Sequence, residues 1–182
     1  MRWLPGGEVL RGWALSASGK TAEGIALIED GIEDNRATGS MLMVTLHLTL
    51  KAEALHLANR TSEALEAIRE AEALAERSEG RWWCAEMYRL RGVFLAAISA
   101  DGSEIEGSFC EAIRIAKEQK SISLEKRAEA PYAEYRRQRA SGSGGCRRLF
   151  QLRLRPWSYH PRRAFATKKK GAGSLLLPGI MP

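Results

Sequence analysis

Arg11-Gly12-Trp13-Ala14-Leu15, Lys51-Ala52-Glu53-Ala54-Leu55 and Arg91-Gly92-Val93-Phe94-Leu95 are three versions of one pattern: a basic residue, a small residue, two variable positions and leucine. The small residue falls at 12, 52 and 92, a register of 40 residues. After each block the sequence breaks, at Ser18-Gly19, Asn59-Arg60 and Asp101-Gly102, and a second segment begins. The second segments align too, on Ile28, Ile68 and Phe109, the third unit carrying one extra loop residue. A fixed period of this length is the signature of a stacked-unit architecture.

Within the segments the period is helical. Ala64, Leu65, Ile68, Ala71, Leu74 and Ala75 follow the i, i+3, i+4, i+7 rule of one apolar face, and Glu63, Glu66, Arg69, Glu70, Glu72 and Glu76 fill the remainder. Thr61 is placed as an N-cap, with Thr21 and Ser103 at equivalent starts, and the glycines at 39, 80 and 102 are expected to close preceding helices. No stretch alternates with period two, so no sheet is expected. Two antiparallel helices approach closely only where a side chain is missing, so Gly12, Ala52 and Gly92 are predicted to face Ile28, Ile68 and Phe109. The expected class is all-α: a tetratricopeptide-like antiparallel helix-pair solenoid of about three repeats plus a capping helix, although the tetratricopeptide period is nearer 34.

Charge divides the chain. Residues 1–134 hold 16 basic and 22 acidic residues, whereas 135–182 hold 12 basic residues and no acid. The sequence pI near 9.5 therefore describes the tail. We divide the chain into a helical domain over 1–138 and a basic tail over 139–182 whose composition predicts disorder, after the break at Ser141-Gly142-Ser143-Gly144-Gly145. A seventh helix is expected around 121–139, interrupted at Pro131, which removes a hydrogen bond and clashes with the preceding turn. Basic residues interleaved with Phe150, Trp157, Tyr159 and Phe165 would suit RNA, single-stranded DNA or an anionic surface; a change of reading frame near Gly145 is an equally simple account. The N-terminus has no secretory pattern and no apolar run is long enough to span a bilayer, which points to a cytoplasmic protein.

Catalytic and metal-binding chemistry find no foothold. Cys84, Cys110 and Cys146 lack CxxC spacing, and Cys84 and Cys110 are expected to be small apolar fillers in helices. His47 and His56 are nine apart, about 180° around a helix, so they cannot share one ion there and are assigned to the surface or a groove. Ala14-Leu15-Ser16-Ala17-Ser18-Gly19-Lys20-Thr21 ends like a phosphate loop, but it lacks the first glycine and the preceding strand that such a loop needs. No nucleophile–base pair is apparent, so no enzyme activity, cofactor or metal is expected. Trp82 and Trp83 open the fifth helix; one indole is expected between neighbouring units and the other over a loop, the alternative being an aromatic anchor for a partner.

The segments RGWALSASGKTAEGIALIEDGIEDNRATG, SEGRWWCAEMYRLRGVFLA and CEAIRIAKEQKSISLEKRA resemble the C-terminal tetratricopeptide region of large bacterial signalling proteins that join a class III adenylate cyclase domain to a P-loop ATPase domain. The resemblance covers about residues 9–130 and includes neither catalytic domain. It implies a sensor or docking role in signal transduction. The concave groove of such arrays is lined by first-helix side chains, which here are Val9, Trp13, Ser16, Thr49, Glu53, His56, Glu86, Arg89 and Val93. That face would suit an extended peptide or a helix of a protein partner, with Glu53, Glu86 and Arg89 supplying specificity, or would be merely solvated.

Overall fold

A computed structural model describes residues 5–39, 43–78 and 81–141. Among them are seven α-helices and no strand: α1 (Pro5–Ala17), α2 (Thr21–Ala37), α3 (Val44–Leu57), α4 (Thr61–Ser78), α5 (Cys84–Ala97), α6 (Gly102–Glu118) and α7 (Ile122–Ala140). Gly80, Cys146 and the basic sequence beyond Ser141 lie outside the described residues.

Turns too short to span any distance join α1 to α2, α3 to α4 and α5 to α6, so each pair folds back on itself. Their geometry recurs. Gly19, Asn59 and Ser99, at the 40-residue spacing, all adopt positive φ. In each case the amide of the residue after the positive-φ one reaches back five positions (Lys20 to Leu15, Arg60 to Leu55, Ala100 to Leu95), and the positive-φ residue donates to the carbonyl three positions back. This is the Schellman closure, which satisfies carbonyls that a helix end would otherwise orphan. The leucine of the sequence pattern is thus the residue on which each first helix closes. The third turn holds one more residue than the others, as expected, and Lys120 closes α6 by the same pair of bonds.

Close approach within the pairs is set by the missing side chains. A Cβ on Gly12 would lie 2.5 Å from the Gly24 carbonyl oxygen and 2.8 Å from Ile28; one on Gly92 would lie 2.9 Å from the Phe109 ring. Ile28, Ile68, Phe94 and Phe109 are fully buried in the core that results, each contributing roughly 1.5–3 kcal/mol by burial. Successive pairs then pack through α2 with α3, α4 with α5 and α6 with α7, while α1, α3, α5 and α7 also touch in succession.

Several expectations are corrected. Gly102 begins α6 rather than closing α5; the left-handed residue there is Ser99. The cap of α6 is Asp101, whose carboxylate accepts from the Ser103 amide at 2.8 Å. α2 starts from Lys20 without a side-chain cap. A single 3₁₀ turn (Arg81–Trp83) precedes the fifth helix; Trp82 is exposed and Trp83 half-buried against the core. Pro131 does not end α7, which runs through it. The missing N–H leaves the Arg127 carbonyl without its helical donor, a penalty of about 3 kcal/mol. The flanking turns outweigh this by packing: Ala128 is buried, and Tyr132 and Tyr135 lie against Phe109 at ring separations of 5.4 and 6.5 Å.

Candidate functional site

None of the nine side chains assigned to one face of the first helices is exposed. Val9, Ser16, Thr49, Glu53, His56, Glu86 and Arg89 are buried, and Trp13 and Val93 are half-buried. Periodicity identifies the face of a helix and not what lies over it; here the next helix of the same row does. Ser16 and Thr49 spend their hydroxyls on their own helices, donating to the Gly12 and Thr45 carbonyls at 3.1 and 2.8 Å.

Four of the nine form a polar ladder across three helices. The Trp13 indole N–H of α1 donates to Glu53 of α3 at 2.7 Å. Glu53 in turn lies 3.6 Å from Arg89 of α5. Arg89 is only 6% exposed and grips Glu86 with both arms of its fork, at 2.9 and 2.8 Å. The rung that sequence reasoning missed is Arg127 of α7, which donates to the same Glu86 at 2.6 Å. Its signal was present: 41 residues after Glu86, the 40-residue register plus the inserted residue, α7 places a base where α5 has an acid.

Two acids and two bases make the ladder neutral, as a buried charge requires. The proton affinities follow from its geometry. Burial raises the Glu53 carboxyl above its usual range, since Arg89 is held too far off to compensate. Burial pushes Glu86 the same way, but the bidentate Arg89 and then Arg127 outweigh it and hold the carboxyl below its usual range. Arg89, although desolvated, is held charged by Glu86 and Glu53.

The histidines are not on the surface. His56 is buried with its ring 4.7 Å from Phe94 and Nδ1 3.1 Å from the Thr61 hydroxyl; burial lowers its pKa to about 4. His47 is buried with Nδ1 unbonded, and burial lowers its pKa also. Cys84 is a buried filler, but Cys110 is exposed, 3.8 Å from the Tyr132 hydroxyl. The phosphate-loop mimic forms the turn between α1 and α2, with Lys20 exposed and 4.0 Å from Glu23. Among the described residues no group of His, Cys, Asp and Glu is placed to hold a metal ion, and no helix is long and apolar enough to cross a membrane.

A cleft of about 590 Å³ opens between α4, α5 and α6. Ala75, Cys84, Met87 and Ile115 form its apolar lining, and Glu72, Glu76 and Arg81 its charged lining.

No family model matches the chain, and no solved structure matches it. An uncharacterized protein of Rhizobium meliloti (strain 1021) is 28% identical over 129 residues, which is 70% of this chain. The chain spans 12% of the length of that relative.

Proposed function

We propose that the helical part is a non-catalytic, tetratricopeptide-like repeat scaffold for protein–protein interaction, with the solenoid expected of that class. The observation that carries this reading is the same Schellman closure at Gly19, Asn59 and Ser99, at the 40-residue spacing of the sequence pattern. Stacked identical supersecondary units present extended surfaces, and such surfaces bind by shape and charge without chemistry of their own. Because the expected groove residues are buried, the partner surface on this reading is the exposed outer side chains of the helices rather than the ladder.

A second reading is a regulatory fragment that acts in trans on a separately encoded nucleotide cyclase or ATPase. Its support is the resemblance of about residues 9–130 to the repeat region of such signalling proteins. On either reading the chemistry belongs to other polypeptide.

Affinity capture on the immobilised full chain, alongside a variant whose basic residues beyond 141 are serine, tests the scaffold. Partner proteins retained equally by both support it. If all binding disappears with the tail charges, or if only nucleic acid is recovered, the scaffold reading is overturned in favour of a basic nucleic-acid binder.

A further inference from the structure

In the three helix pairs the small residue of the register is covered by the helix that follows it. A Cβ on Gly12 would meet Gly24 and Ile28, one on Gly92 would meet Phe109, and Ala52 is fully buried. Helix α7 is the fourth of the row α1, α3, α5, and its residue in the same place, 41 positions after Gly92, is Ala133. Ala133 is exposed. The helix packs on α5 and α6 through its opposite side, where Ala128 is buried and Tyr135 half-buried, so among the described residues nothing takes the place that α2, α4 and α6 take in the earlier units. Around Ala133 the uncovered face runs the length of the helix, through Ile122, Lys126, Glu129, Arg136 and Ala140, all exposed. Ile122, at 67%, is the most exposed large apolar side chain among the described residues.

The charges on this face fit a second copy of it. At about 100° per residue, Glu129 and Arg136 lie roughly 40° and 60° to the same side of Ala133, one turn before it and one turn after. Neither makes an ion pair with a described residue; Arg136 leans over the ring of its own Tyr132, 5.8 Å from the centre. They stand about 10 Å apart along the axis, too far to pair with each other. A second α7 laid antiparallel, about a two-fold axis beside Ala133, brings Glu129 of each copy level with Arg136 of the other, so the contact forms twice. Arg137 is already paired with Glu134, and Lys126 falls level with Ala140 of the other copy. A parallel arrangement would instead set like charge on like. The antiparallel one also leaves the two Ala140 residues about 21 Å apart, beyond the screening length of about 8–10 Å, so the basic sequences that follow them do not oppose the pairing.

We infer that α7 is a self-association face, on which two copies of this chain pair antiparallel across Ala133 through two Glu129–Arg136 ion pairs. A single helix pair buries less than a standard interface, so the dimer is weak and forms at high concentration. This goes beyond the scaffold reading, and its test needs no other protein, so the two can fail separately.

The experiment is sedimentation velocity on the full chain, with reductant present to keep the exposed Cys110 from linking copies. The mean sedimentation coefficient is expected to rise with concentration through the high-micromolar range. Glu129→Arg and Arg136→Glu should each weaken association roughly tenfold, since each turns two attractions into two repulsions. The double variant should recover it, and an equimolar mixture of the two single variants should associate where neither does alone. Both positions are exposed, and circular dichroism checks that helix content is kept; should a reversal lower it, Glu129→Gln and Arg136→Gln take its place, with a smaller weakening expected. The two reversals change net charge in opposite directions, so association driven by the basic tail would respond to them oppositely, and that result overturns the inference. So does a monomer at every concentration up to the millimolar range, or a dimer indifferent to both reversals, which would put the contact on another face.

Discussion

The Trp13 indole donates a 2.7 Å hydrogen bond to Glu53, the residue 40 positions later that holds the same place in the next helix pair. A neutral donor thus answers one side of a buried carboxylate, and Arg89 answers the other at 3.6 Å. Removing one member of such a set leaves uncompensated charge in the interior. Arg89→Ala should lower stability by about 3–5 kcal/mol in a denaturant titration, while replacing Glu53, Glu86 and Arg89 together by leucine or methionine should recover most of that loss. Arg127→Ala, at a partly exposed site, should have a smaller effect, concentrated in faster amide exchange of α7.

Two glycines that look alike in sequence should respond in opposite directions. Gly12→Ala forces a methyl to 2.5 Å from a backbone oxygen, which cannot swing away, so it should destabilise by about 2 kcal/mol or more. Gly107 is helical and exposed with nothing within 4 Å of its Cβ position, so Gly107→Ala should stabilise by about 0.5–1 kcal/mol. Equal effects at both sites would refute the close-approach argument.

Ser99 and Asn59 hold φ of 55° and 62°, which is unfavourable for a side chain by roughly 1 kcal/mol. Ser99→Gly should therefore raise the thermal midpoint. Asn59→Gly should gain less, because asparagine tolerates this conformation. A lowered midpoint for Ser99→Gly would count against the left-handed closure.

Acid should loosen the fold through His56. Its folded pKa, about 4, lies below the ordinary 6.5, so the unfolded chain binds the proton first. The stability associated with neutral His56 is complete above about pH 6.5 and declines as pH falls towards 4, by up to about 3 kcal/mol. His47 acts in the same direction. Glu86, with a depressed pKa, adds a further loss as pH falls below the usual carboxylate range, and Glu53, with a raised one, opposes it. Denaturant midpoints between pH 7 and 4 should shift less in His56→Phe than in the parent; an unchanged shift would remove His56 from this role.

What the sequence made legible was local and periodic. Leu15, Leu55 and Leu95 marked the helix closures, Gly12 and Gly92 the crossings, and the displaced Phe109 the inserted residue. The candidate site was legible only in part. Glu53, Glu86 and Arg89 are buried and paired with one another where exposure was expected, because helical period carries no information about which element covers a face. Arg127 stands one turn before Pro131, and the tertiary packing of Tyr132 and Tyr135 that carries α7 through that proline lies in no local pattern.

The ladder also fixes the order in which the pairs stand. A chain lengthened by copying its middle pair would set one Glu53 beside the Thr49 of the copy, at the place now held by Arg89. That carboxylate would then have no cation within reach. The three pairs close their turns alike but are not interchangeable, so copying the middle one requires a compensating charge change in the same step.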